Sequence, residues 1–127
     1  MNRRVFIAGA SGAIGRRLCL LLVDEGWSVI GTTRSSAKAQ VLRDLGVEPV
    51  VVDVFDAALL LDIVRQAKPM IVVHQLTDLP PALDPAQMPE ALPRNARLRD
   101  IGTRNLVAAA IAAGAQRMVA QSLAFVY

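Results

Sequence analysis

Three glycines spaced three apart, Gly9, Gly12 and Gly15, stand between the apolar run Arg4 to Ala8 and a stretch whose apolar residues Ile14, Leu18, Leu21 and Leu22 recur at helical spacing. Glycines at this spacing between a strand and a helix have a specific chemical use. The first supplies the tight bend, the second lets the main chain approach a pyrophosphate, and the third lets the helix pack on the sheet with no side chain between them. The phosphates then face the N–H groups of the helix start, where the helix dipole favours negative charge. Ser11, Ala13 and Ile14 lie in the same turn and complete the expected phosphate-binding segment of a dinucleotide site.

About 20 residues past such a turn, at the end of the second strand, NAD sites carry a carboxylate for the ribose hydroxyls. Arg34 holds that position here, with Thr32, Thr33, Ser35 and Ser36 around it and no acidic residue among them. A guanidinium grips a 2′-phosphate through charge-assisted hydrogen bonds, so the expected cofactor is NADP rather than NAD. Arg16, directly after Gly15, either adds to the same phosphate or lies free on the helix face. Asp53 and Val54 close the third strand at the same sheet edge. There the Asp53 carboxylate can accept from the adenine amino group while the Val54 N–H meets the ring. The alternative for Asp53 is helix capping, for which Asp56 is better placed. Gln75 ends the fourth strand beside the cofactor. His74 is read as a hydrogen-bonded core residue without chemistry, and no catalytic or metal-binding residue is assigned.

These residues need a scaffold that brings several strand ends to one edge. The patterning predicts strands at Arg4–Ala8, Ser28–Thr33, Pro49–Val54, Met70–Gln75 and Arg117–Ser122. Helices are predicted at Ile14–Val23, Ala37–Leu45, Ala57–Ala67 and Arg94–Ala113, with Gly26, Gly46 and Gly114 just past three of their ends. Such alternation implies an α/β, Rossmann-type, doubly wound parallel sheet with helices on both faces. Right-handed crossovers and a reversal after the third strand give the order 3-2-1-4-5. Residues 76–93 contain Pro80, Pro81, Pro85, Pro89 and Pro93. They are read as a long loop at the ligand edge, a lid or substrate-side segment, with a disordered insertion as the alternative.

The length of 127 residues suits one domain, residues 1–127, and is too short for a cofactor domain plus a full substrate domain. Charges interrupt every apolar stretch well before the roughly 20 residues of a membrane span, and no signal-peptide pattern opens the chain. The expected location is cytoplasmic. The lone Cys19 has no internal partner and reads as a small buried hydrophobe. The net charge of +3 is scattered, and one Trp, one Tyr and three Phe offer little for base stacking, which argues against nucleic acid.

The chain resembles the short-chain dehydrogenase/reductase superfamily, in particular its extended and atypical NAD(P)-dependent epimerase/dehydratase branch. The resemblance rests on Gly9-Ala-Ser-Gly12-Ala-Ile-Gly15, on Val51-Val-Asp53, on Val72-Val-His74-Gln75-Leu76, and on Asn95 with Gly102-Thr103-Arg104-Asn105-Leu106. It implies an NAD(P)H-using oxidoreductase, epimerase or dehydratase acting on a sugar nucleotide or another small carbonyl or alcohol. Two departures accompany it. Leu123 stands where the family places its catalytic serine, Ser122 matching the serine before it and Tyr127 the structural tyrosine. The family's Tyr-x-x-x-Lys pair is absent from these 127 residues, and strand five is the last strand expected. The reading is therefore an N-terminal portion, truncated after strand five, that binds NADP(H) and has little catalysis of its own. The alternative is a non-catalytic, NADP(H)-binding redox sensor that touches a partner protein. The fifth strand, followed by Leu123, Phe125 and Val126, is expected to be an open edge prone to self-association.

Overall fold

The computed structural model describes residues 3–76, 86 and 88–120. Its strands are β1 (Arg4–Ala8), β2 (Ser28–Thr33), β3 (Glu48–Val51), β4 (Ile71–His74) and β5 (Arg117–Ala120), and its helices α1 (Ala13–Asp24), α2 (Ser36–Asp44), α3 (Ala57–Ala67) and α4 (Met88–Ala113). All pairings are parallel, and the strand order is the expected β3-β2-β1-β4-β5.

β1 explains the two-faced core. Its side chains alternate, and both sets are buried: Phe6 and Ala8 pack with the α3 and α4 residues Leu60, Val64, Leu98 and Leu106, while Val5 and Ile7 pack with Cys19 of α1 and Leu42 of α2. A strand covered on both faces must be apolar at every position, as Val5-Phe6-Ile7-Ala8 is. Full burial of Phe6 alone is worth about 1.5–3 kcal/mol. Phe6 lies opposite Ile30 of β2 and Val72 of β4, which sets the register on both sides. Cys19 sits in this core with its thiol pushed up to about 11 by burial, so it behaves as a neutral apolar group.

Most element ends fall where local chemistry puts them. Ser35 caps α2 by accepting from the Lys38 N–H, and Asp56 caps α3 by accepting from the Leu59 N–H, the role expected of it. β2 and α3 have the expected bounds, and α1 and α2 differ from expectation by one residue at each end. β3 differs more, by one residue at its start and three at its end. The ladder of β3 stops at Val51, because the Val52 N–H makes a last bond to the Thr33 carbonyl and the Asp53 carboxylate then takes the Phe55 N–H, turning the chain away. β4 is shorter by one residue at each end. Of the expected fifth strand, residues 121 and 122 lie outside the described residues, as do Leu123, Phe125, Val126 and Tyr127.

The largest correction concerns the loop expected to run to Pro93: α4 begins at Met88 and holds Pro89 and Pro93 within it. Pro89 lies in the first turn, where a helical N–H has no intrahelical acceptor to lose. Pro93 does forfeit one bond, and its ring faces solvent. The helix persists there because Ala91, Asn95 and Leu98 on its inner face are 0%, 3% and 4% exposed, and that burial outweighs one lost hydrogen bond.

Candidate dinucleotide site

The turn after β1 is held from two sides. Gly9 has φ +82°, and a Cβ built on it would overlap the Gln75 carbonyl at the end of β4. Gln75 in turn donates its N–H to the Ala8 carbonyl at 2.8 Å. From the β2 side, the Gly9 N–H donates to Thr32 Oγ1 at 2.9 Å and the Ala10 N–H to the Thr32 carbonyl at 3.0 Å. Ser11 Oγ donates to Thr33 Oγ1 at 3.1 Å, which also accepts the Ser35 N–H at 3.2 Å. The two threonine hydroxyls, grouped by sequence with the hydroxyls around Arg34, thus brace the turn.

Gly15 is needed for packing, since a Cβ there would collide with the Gly9 carbonyl and lie 2.9 Å from that of Ala10. Gly12 is different. Its backbone (φ −70°, ψ 169°) suits any residue, and a Cβ there would meet only the Gly9 oxygen, at an ordinary 3.7 Å. Neither the turn nor the packing of the protein demands a glycine at this position. Gly12 is the N-cap of α1, with no side-chain cap and no acidic residue in the first turn, so the opening N–H groups of the helix are left to another acceptor.

In front of Gly12 lies a groove of about 840 Å³ along the carboxyl ends of β1, β2 and β4, a size suited to a cofactor. It brings together Gly9, Ser11, Gly12, Ala13, Arg34, Val54 and Gln75 of the residues singled out by sequence, and Arg16 with them. Three others do not line it. Ile14 is half-exposed on the helix surface, Gly15 is buried beneath the turn, and Asp53 is exposed with its carboxylate engaged by the Phe55 N–H at 2.9 Å. The Asp53 carboxylate therefore serves a turn in this structure. Sequence reasoning missed Lys38, Val52, Leu76 and Leu98 as lining residues. Lys38 lies in the first turn of α2 while Arg34 precedes its Ser35 cap, so no helical spacing links the two cations in the sequence. Leu98 arrives from α4 and had no local signal.

The electrostatics are one-sided: Arg16, Arg34 and Lys38 line the groove, and no carboxylate does among the described residues. A parallel sheet with a glycine turn, an uncapped helix start and a cationic groove at its carboxyl edge defines a Rossmann-type dinucleotide-binding protein.

The chain belongs to the NAD(P)H-binding family whose model matches residues 9–127. It is 44% identical over 122 residues to a 3-diazoavenalumate denitrifying reductase from a Streptomyces species, covering 96% of this chain and 38% of that protein. Among solved structures it is similar to the UDP-glucose-4-epimerase of Stenotrophomonas maltophila with bound NAD and formylated UDP-arabinopyranose (TM-score 0.78, 21% identity, 96% of this chain and 37% of that one). It is also similar to ChuY, an anaerobillin reductase of Escherichia coli O157:H7 (TM-score 0.70, 20% identity, 92% and 49%). The structural neighbours thus include NAD-binding epimerases of the short-chain dehydrogenase/reductase type, as the sequence motifs implied. The chain spans well under half the length of the reductase it matches. No helix among the described residues is long and apolar enough to cross a membrane.

Proposed function

We propose that this chain is the NADP(H)-binding portion of an atypical short-chain reductase, working in the cytoplasm on a small carbonyl, alcohol or related acceptor, with sugar nucleotides within that range. The observation that carries the reading is that, among the described residues, the groove is lined by three cations and no carboxylate. A groove built for NAD alone needs an acceptor for the ribose hydroxyls, whereas Arg34 and Lys38 offer charge to a 2′-phosphate. Reduction is favoured over epimerisation because the relative at 44% identity is named a reductase, while the epimerases share about a fifth of the residues. In such a reaction the cofactor supplies the hydride; this chain's part is to hold the phosphates and the adenosine half in place.

Calorimetric titration with NADPH and NADH tests the reading. The wild-type chain is expected to bind NADPH ten- to hundredfold more tightly, the effect of about 1.5–3 kcal/mol from hydrogen bonds to a charged group. Arg34→Asp is expected to abolish that preference while leaving the thermal midpoint within a few degrees, since Arg34 is exposed. Equal binding of the two nucleotides by the wild type would overturn it.

Tyr127 is the sole tyrosine, so no Tyr-x-x-x-Lys pair falls within the 127 residues. By themselves they are expected to bind cofactor without turning over substrate, and NADPH oxidation by the purified 127-residue polypeptide above the buffer rate would contradict this. We also propose self-association of that polypeptide through β5, which is an edge strand among the described residues and leaves Val119 53% exposed. Light scattering is expected to show mass rising above one chain with concentration; a monodisperse monomer at high concentration would refute it.

A further inference from the structure

The wall of the groove opposite α1 is attached to α4 at two points. Asn105 Nδ2 donates to the Val54 carbonyl at 2.7 Å, holding the segment after β3. The segment after β4 is held by His74, which is fully buried. Its Nδ1 accepts the Leu76 N–H at 3.1 Å, and its Nε2 lies 2.8 Å from Thr103 Oγ1. Because a main-chain N–H can only donate, Nδ1 must be bare, and the proton of the neutral ring is on Nε2, donated to Thr103. Gly102, the residue before Thr103, presents no side chain. A Cβ there would press on Leu76 Cδ1 at 3.2 Å and Val54 Cγ2 at 3.3 Å, so both groove-lining residues lie directly on the helix.

We infer that His74 is a positioning residue for dinucleotide binding: its neutral ring ties the Leu76 main chain to Thr103 of α4, and a second proton on the ring releases that wall of the groove. The protonated ring sets Nδ1–H against the Leu76 N–H, donor against donor, and the contact cannot survive. Leu76 moves with its neighbour Gln75, whose carbonyl lies over Gly9, so loss of the tie reaches the phosphate turn. The surroundings favour the neutral ring. Burial lowers the His74 pKa from its ordinary value, and the Arg99 charge on α4 lowers it further. β1 places Ala8 beside it and β5 places Ala120, and neither carries charge. The sign follows: the unfolded chain binds the proton first, near its ordinary value of 6.5, so the tie is fully present above that pH and in the folded chain is lost only as pH falls through the lowered value of the buried ring.

The inference rests on the dinucleotide reading, but one arm of its test does not. His74 is the only histidine, so its ring titration by NMR is unambiguous. In the unliganded chain, protection of the Leu76 amide from hydrogen exchange is expected to fall at least tenfold in step with ring protonation. His74→Asn, whose Oδ1 replaces Nδ1 as acceptor, is expected to retain that protection at every pH, and His74→Ala to lack it throughout. In the second arm, NADPH affinity is expected to weaken about threefold more between pH 7.5 and 5.0 in the wild type than in His74→Asn, which cancels titration of the nucleotide phosphate. By reciprocity saturating NADPH moves the ring midpoint to lower pH. Leu76 protection that ignores the ring titration, or equal pH dependence of affinity in wild type and His74→Asn, overturns the inference. Absence of any NADPH binding alongside the expected amide behaviour instead overturns the dinucleotide reading and with it the binding role of His74, while the proton-sensitive tie between His74 and Leu76 stands.

Discussion

Gly9→Ala is expected to cost about 4 kcal/mol and to lower the thermal midpoint by more than about 10 °C. Two costs add. The residue sits at φ +82°, where an L side chain is strained by about 1–3 kcal/mol. The new methyl also overlaps the Gln75 carbonyl, a main-chain atom tied to Ala8 by a 2.8 Å hydrogen bond, and forcing such a contact costs a further 1–3 kcal/mol or so. Neither is relieved by a side-chain rotation. For a domain of ordinary stability, about 5–15 kcal/mol, this is a large fraction of the total. Denaturant unfolding of the variant checks it; a midpoint within experimental error of the wild type would show that the β1 turn relaxes away from β4 at little cost.

Gly12→Ala is expected to behave in the opposite way. Its backbone is open to any residue and its Cβ meets nothing closer than 3.7 Å, so the fold loses no more than about 1 kcal/mol, the difference between glycine and alanine at an N-cap. The methyl nevertheless occupies the side of the turn where a pyrophosphate must approach the main chain. Nucleotide affinity is expected to fall thirty- to a hundredfold, about 2–3 kcal/mol. Calorimetry and thermal unfolding on one sample separate the two quantities. Unchanged affinity would place the phosphates elsewhere in the groove. Among the three glycines this is the one for which the structure supplies no demand of its own, which makes it the sharpest probe of a ligand.

Much of the scaffold was legible locally. Ser28–Thr33 and Ala57–Ala67 have the bounds their patterning implied, because a β-branched run, the Asp56 cap and the break before Pro69 are all short-range devices. The start of α4 was not, since prolines at 89 and 93 argue for a loop on local grounds, and only the burial of Ala91, Asn95 and Leu98 overrules them. The end of β3 was misjudged because the Asp53 side chain competes with the ladder for main-chain partners, a contest that apolar patterning does not register.

The site divides along the same line. The glycine turn and Arg34 were visible in the sequence because a tight bend, a close main-chain approach and a charge at a strand end are set by residue type at fixed spacing. What the tertiary structure decided is who holds that turn and who closes the groove. Thr32 and Thr33 became braces, Lys38 joined Arg34, Asp53 turned to its own backbone, and α4 contributed Leu98, the Thr103 tie to His74 and the Asn105 tie to Val54. Apart from the local Asp53 turn and the Arg34 and Lys38 pair, the hydrogen-bonded partners are separated by 22 to 51 positions along the chain. Their partnership comes from the parallel crossovers that gather distant strand ends and one helix at a single edge, and a hydrogen bond between residues so far apart leaves no periodic mark in either segment.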